Sequence, residues 1–168
     1  LEYVEQPCAQ LGELAELRRR VAHMGIPIAA DESVRKAADP LAVARAGAAD
    51  LLVLKAQPLG GVRRALALAA EARLPAVVSS ALDTSVGLSM GVALAAALPE
   101  LDYDCGLGTA SLFAADVCDR PLQPVAGEVA AGRVEPDPAR VDEHAASDQR
   151  RDWWLARLAR CHALLTGS

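Results

Sequence analysis

The chain has 168 residues, 52% of them hydrophobic and only 3% aromatic, with a mean hydropathy of +0.19. That suffices for one domain with a large Ala, Leu and Val core, and it is too apolar for a disordered chain. A formal net charge of −5 and an isoelectric point near 5.2 argue against a nucleic-acid partner, which needs a basic face, and leave no polybasic membrane patch.

The four cysteines, Cys8, Cys105, Cys118 and Cys161, are scattered and form no CxxC pair, as expected of reduced thiols in a cytoplasmic protein. No apolar run reaches the roughly 18–20 residues of a membrane span, and no signal peptide is visible. The first residue is Leu1, inside a strand-like run, which reads as a piece of a longer protein.

The first strand covers Leu1 to Val4 and ends at Glu5-Gln6-Pro7, where proline cannot continue a ladder. A helix from about Gln10 to Met24 carries Leu11, Leu14, Leu17, Val21 and Met24 on one stripe, with Arg18, Arg19 and Arg20 as solvated surface. Gly25 stops it. Ile26 to Ala30 is the second strand and ends abruptly in Asp31-Glu32-Ser33. Asp39-Pro40 opens a shorter helix, with Asp39 as its cap. Leu51 to Leu54 is an apolar strand of the kind covered on both faces, and it ends in Lys55. Gly60-Gly61 opens a helix to about Arg73, which Leu74-Pro75 breaks.

Ala76 to Val78 is the fourth strand, ending in Ser79-Ser80. A helix from Thr84 or Ser85 to about Leu98 follows, with Asp83 as its cap. Leu101 to Cys105 is the fifth strand, ending at Gly106-Leu107-Gly108-Thr109, before a short helix near Ala110 to Val117. Residues 119 to 147 are rich in Pro, Gly and charge, with room for a short strand or two between Val125 and Val134. Asp148 to Leu165 is an amphipathic helix with Trp154, Leu158, Cys161 and Leu165 on one face, and Trp153 and Trp154 read as packing residues. The repeat therefore covers residues 1–118, and residues 119–168 form a C-terminal extension.

The strand ends Glu5, Asp31, Lys55, Ser79 and Asp104 are 26, 24, 24 and 25 residues apart. A repeated βα unit of that length forces parallel strands, in an open doubly wound sheet or a (β/α)-barrel. No GxGxxG follows a strand, and polar residues at every strand end favour the barrel. Five strands do not close one. Either further units precede Leu1, or the first strand lies on an open edge.

Glu5 and Asp31 end adjacent strands about 4.8 Å apart, close enough to share one small cation. Oxygen ligands favour Mg²⁺ or Mn²⁺ over Zn²⁺. The alternative is that both acids cap helices or pair with arginines. Lys55 follows four apolar residues, and a stem held against a barrel wall readies its amine for proton transfer, unless it only pairs with Asp31 or Glu5. Ser79, Ser80 and the Gly106 loop offer hydroxyl and N–H groups to a substrate carboxylate, or serve as turns. His23, His144 and His162 read as surface.

Val4-Glu5-Gln6-Pro7, Ala30-Asp31-Glu32-Ser33, Leu54-Lys55, the run Ser79 to Leu88 and Gly106-Leu107-Gly108-Thr109 together resemble the enolase superfamily, muconate-lactonizing subgroup, over about residues 1–135. The resemblance implies α/β architecture, about strands four to eight of an enolase-type TIM barrel plus a C-terminal tail with a helix. It implies that Glu5 and Asp31 are two of three metal-binding carboxylates, and that Glu32 orients its neighbour. Lys55 would stabilise an enediolate intermediate, and Ser79 or Ser80 and Gly106 would lie near the substrate carboxylate.

The implied reaction is a Mg²⁺-assisted syn dehydration of a small cyclohexadiene carboxylate in menaquinone biosynthesis. Dipeptide epimerases, N-acylamino acid racemases and muconate cycloisomerases share these residues and remain alternatives, as does a non-catalytic half-barrel acting in assembly or binding. The first metal carboxylate, a second lysine in a KxK motif and a capping domain would all lie before Leu1, so these residues alone should be inactive.

Overall fold

Short apolar runs bounded by proline, glycine and charge make four strands: β1 (Val4–Glu5), β2 (Ile28–Ala30), β3 (Leu51–Leu54) and β4 (Ala76–Val78). The computed structural model describes residues 1–167 and pairs these strands in parallel in the order β1-β2-β3-β4. Each crossover is helical: α1 (Leu11–Val21) after β1, α2 (Glu32–Arg35) and α3 (Ala42–Arg45) after β2, and α4 (Val62–Ala72) after β3. Helix α5 (Ser85–Ala97) follows β4, and α6 (Pro138–Glu143) and α7 (Asp148–Thr166) lie in the tail.

Side chains alternate across a strand, and here they sort into two clusters. Ile28, Ala30, Leu52, Leu54, Ala76 and Val78 pack outward against Leu14 of α1 and Leu88, Val92 and Leu94 of α5. Ala29, Leu51, Val53 and Val77 form an inner face with Tyr3, Tyr103 and Cys105. Tyr3 and Tyr103 meet there edge to face with ring centroids 5.4 Å apart, so the sheet is curved as a barrel segment requires.

The fifth strand expected over Leu101 to Cys105 does not form. Leu101, Asp102 and Asp104 are exposed, and only Gly106 pairs, through a parallel bridge to Ser79. Its amide donates to the Val78 carbonyl at 2.8 Å. Glycine matters in the helix above: a Cβ on Gly91 of α5 would stand 2.8 Å from Leu107 Cδ2.

Five further expectations change. Asp39 caps a turn rather than a helix, accepting from the Leu41 amide at 3.1 Å, and α3 starts three residues later at Ala42. Asp83 accepts from the Ala81 amide, and Asp116 takes its place at the start of α5, accepting from Ser85 N at 3.0 Å and Ser85 Oγ at 2.8 Å. Residues 125 to 134 contribute only an antiparallel bridge between Val125 and Glu128. The expected apolar face of α7 is uncovered: Trp153 and Trp154 are 47% and 52% exposed and stack edge-on against each other at 4.8 Å. Arg157 lies over both rings, a local cation–π arrangement that needs no core.

The fifth change is at Arg18, which is no free surface residue. Its Nε donates to Asp50 Oδ1 at 2.8 Å and its Nη1 to the Gly47 carbonyl at 3.1 Å, while Asp50 Oδ2 accepts from the Ile28 amide at 2.9 Å. This clamp ties α1 to the amino ends of β2 and β3. Burial opposes ionisation of Asp50, but the bonds from Arg18 and Ile28 outweigh it and hold the carboxyl below its ordinary range. A depressed folded-state pKa stabilises above the unfolded pKa, and that stability is lost as pH falls through the folded value. Asp50→Ala should cost about 1–2 kcal/mol at neutral pH, discounted for partial exposure. Denaturant titrations across a pH series should show the difference shrink in acid, and a pH-independent difference would contradict the clamp.

Candidate active site

The strand register carries the polar residues to one end of the sheet. Glu5 is level with Ala29, Ala29 with Leu51, and Leu54 with Val78. Asp31 thus lies two residues past the level of Glu5, Lys55 two past that of Asp31, and Ser79 level with Lys55. A stagger of this kind accompanies strand tilt in a barrel and keeps the strand ends on one rim. Glu5, Asp31, Lys55 and Ser79 also share the parity of the inner-face residues Tyr3, Ala29, Val53 and Val77. They are the last inward positions of four successive strands, which is where (β/α)-barrels build active sites.

Asp31 and Lys55 are 3% and 8% exposed, and Lys55 Nζ donates to Asp31 Oδ2 at 2.6 Å. Arg35 Nε donates to the other oxygen, Asp31 Oδ1, at 2.8 Å, and Arg35 Nη2 pairs with Glu32 Oε1. Glu32 therefore touches Arg35, and Arg35 touches Asp31. Glu5 is exposed at the rim. Partial desolvation first, and then the neighbouring Asp31 carboxylate, raise its carboxyl above the usual range, with Lys55 pulling the other way.

Gln6 holds the first two strand ends together. Its backbone is left-handed, with φ 39°, and four side-chain hydrogen bonds offset that strain. Oε1 accepts from the amides of Asp31 and Ser33 at 3.0 and 3.2 Å; Nε2 donates to Ser33 Oγ at 2.7 Å and to the Cys8 carbonyl at 2.9 Å.

The two serines after β4 part company. Ser80 is buried, with its hydroxyl 3.0 Å from the Gly106 carbonyl and 2.8 Å from Thr109 Oγ1. Among the described residues Ser79 Oγ makes only a long 3.4 Å contact, with the Ser80 carbonyl, which leaves it open to a ligand. Glycine at 106 lets the hydroxyl keep this position: a Cβ there would stand 2.9 Å from Ser79 Oγ. Strand parity is the signal that separates Ser79 from Ser80, and the i+4 spacing of Arg35 from Asp31 is the signal for that ion pair.

Glu5 and Asp31 suit a hard divalent cation in kind, being oxygen donors close enough for one to raise the pKa of the other. They fall short in number. Among the described residues no group of three or more His, Cys, Asp or Glu side chains could hold a metal ion. Among them, too, no helix is long and apolar enough to cross a membrane.

The raised Glu5 pKa means that the folded protein holds this carboxylate at a cost at neutral pH. The cost vanishes once the group is protonated in both folded and unfolded states. Glu5→Gln should therefore raise the Tm of the metal-free protein at pH 7, and the gain should fade below the ordinary glutamate range. A gain that persists in acid would show that the effect is not the charge.

The family model described as "Enolase C-terminal domain-like" matches residues 1–138. The chain is 58% identical over all 168 of its residues to o-succinylbenzoate synthase of Mycobacterium bovis BCG, and 57% identical over 165 residues to that of Mycobacterium ulcerans. It spans about half the length of these relatives, 50% and 49% respectively. Among solved structures, 2-chloromuconate cycloisomerase from Rhodococcus opacus superposes with a TM-score of 0.74 at 27% identity, over 88% of this chain and 42% of its own.

Proposed function

The chain belongs to the Enolase C-terminal domain-like family, and we propose that it is the carboxyl-terminal part of an o-succinylbenzoate synthase. Residues 1–118 would supply the last strands of the barrel, and residues 119–168 its extension. A capping domain, the first strands, a third metal carboxylate and a second lysine would come from sequence outside this chain. The identity of 58% to o-succinylbenzoate synthases, against 27% to the cycloisomerase, favours the dehydratase over the other activities of the superfamily. The substrate would be 2-succinyl-6-hydroxy-2,4-cyclohexadiene-1-carboxylate, and the enzyme would work in the cytoplasm.

In that reaction a proton leaves the carbon next to the carboxylate for a base outside this chain. The electron pair moves into the carboxylate as an enediolate, then returns to expel the ring hydroxyl, which leaves as water after taking up a proton. A divalent cation, usually Mg²⁺ in this superfamily, would supply positive charge to the enediolate oxygens. Glu5 and Asp31 are the ligands this chain would contribute.

Lys55 brings a second positive charge, held by Asp31 where both side chains are almost fully buried and a fixed charge is worth more than in water. Ser79 Oγ and the rim at Gly106 would lie near a substrate carboxylate. Glu32 acts on Asp31 only through Arg35. The observation that carries this reading is the buried Lys55–Asp31 pair at the ends of adjacent parallel strands.

Two assays test it. In the complete protein with Mg²⁺, Lys55→Met should lower kcat by about 10²–10³-fold while the protein stays folded. The 168-residue chain alone should show no dehydration. Full turnover by the chain alone, or racemisation without dehydration by the complete protein, would sink the proposal.

A further inference from the structure

Nothing intrinsic to an aspartate fixes the plane of its carboxylate, because rotation about χ2 is broad and two-fold. The plane of Asp31 is set by what its two oxygens meet. Oδ2 faces Lys55 just past β3, and Oδ1 faces Arg35 Nε on α2 at 2.8 Å. With Lys55 alone, the buried carboxylate would turn about a single bond and leave Oδ1 without a donor. Arg35 is itself held, since Nη2 of the same rigid guanidinium pairs with Glu32. Its charge is cancelled by that partner, so what reaches Asp31 is direction more than net charge. Helix α2 has only the length needed, four residues, to bring Glu32 and Arg35 onto one side beside Asp31.

We propose that Arg35, anchored by Glu32, is a positioning residue that fixes the plane of the Asp31 carboxylate. The inference rests on the reading of Asp31 as a ligand to a divalent cation in a complete synthase. Groups that orient a ligating carboxylate are worth about 10–100-fold in metal affinity or activity. The Arg35 fork also explains why Glu32 contributes without touching Asp31.

The test removes the pair without changing net charge. The double variant Glu32→Gln/Arg35→Met is made in the complete protein, and Mn²⁺ binding is titrated by electron paramagnetic resonance on folded protein. Affinity should fall tenfold or more, and kcat at saturating Mn²⁺ should return to within about threefold of the unaltered enzyme, because the site is misaligned and not lost. Arg35→Lys keeps the charge and loses the fork, and it should restore only part of the affinity. Full restoration by lysine would overturn the inference in favour of plain charge, and so would Mn²⁺ affinity within threefold of normal in the double variant. Absence of Mn²⁺ binding by the unaltered protein would instead overturn the synthase reading, and the inference with it.

Discussion

The ion pair between Lys55 and Asp31 constrains everything around it. Both groups are almost fully buried, so Lys55 would be an uncompensated charge without Asp31, and Asp31 without Lys55 would keep only Arg35. The pair spans two adjacent strands, and therefore depends on β2 and β3 keeping their register. A slip of one residue would turn Lys55 from the inner face to the helix layer and break the contact. Buried ion pairs are poor stabilisers compared with apolar packing of equal volume. Their presence at the end of an otherwise apolar sheet points to chemistry.

The two ends of the sheet differ in character. At the amino end the Arg18–Asp50 clamp satisfies every group it touches, and Asp50 is easier to ionise than a free aspartate. At the carboxyl end the chain accepts unfavourable local states. Gln6 and Leu82 are left-handed without being glycine, with φ of 39° and 68°, a conformation that the amino end shows once, at Arg73, with φ of 55°. Glu5 is harder to ionise than usual. In this family of architectures the first end is where stability is concentrated and the second is where the reaction is run.

Much of this is legible in the sequence. The strands are marked by short apolar runs between prolines, glycines and charges, and their regular spacing is enough to identify a parallel βα repeat. Glu5, Asp31, Lys55 and Ser79 can be placed at strand ends because each interrupts such a run. The fifth strand that the pattern suggests does not form, since Asp102 and Asp104 alternate with apolar residues yet only Gly106, beyond them, pairs. Long-range side-chain bonds are out of reach of sequence reasoning. Asp116 caps α5 from 31 residues away, and Gln6 bonds to Ser33 from 27 away, through a turn that sequence does not specify. The apolar face of α7 is plain as a pattern, but a pattern does not say whether anything covers it.

The placement of the aromatic residues bears on how this protein would be observed. Its two tryptophans stand side by side in α7, exposed and flanked by arginines, and its two tyrosines meet each other on the inner face of the sheet. Emission from the indoles reports on the tail helix and says little about the sheet. The phenol signals of Tyr3 and Tyr103 join the first strand to the last paired segment, and they register whether the curved sheet has closed. An unfolding curve followed by tryptophan light and one followed by tyrosine would trace two different parts of the chain.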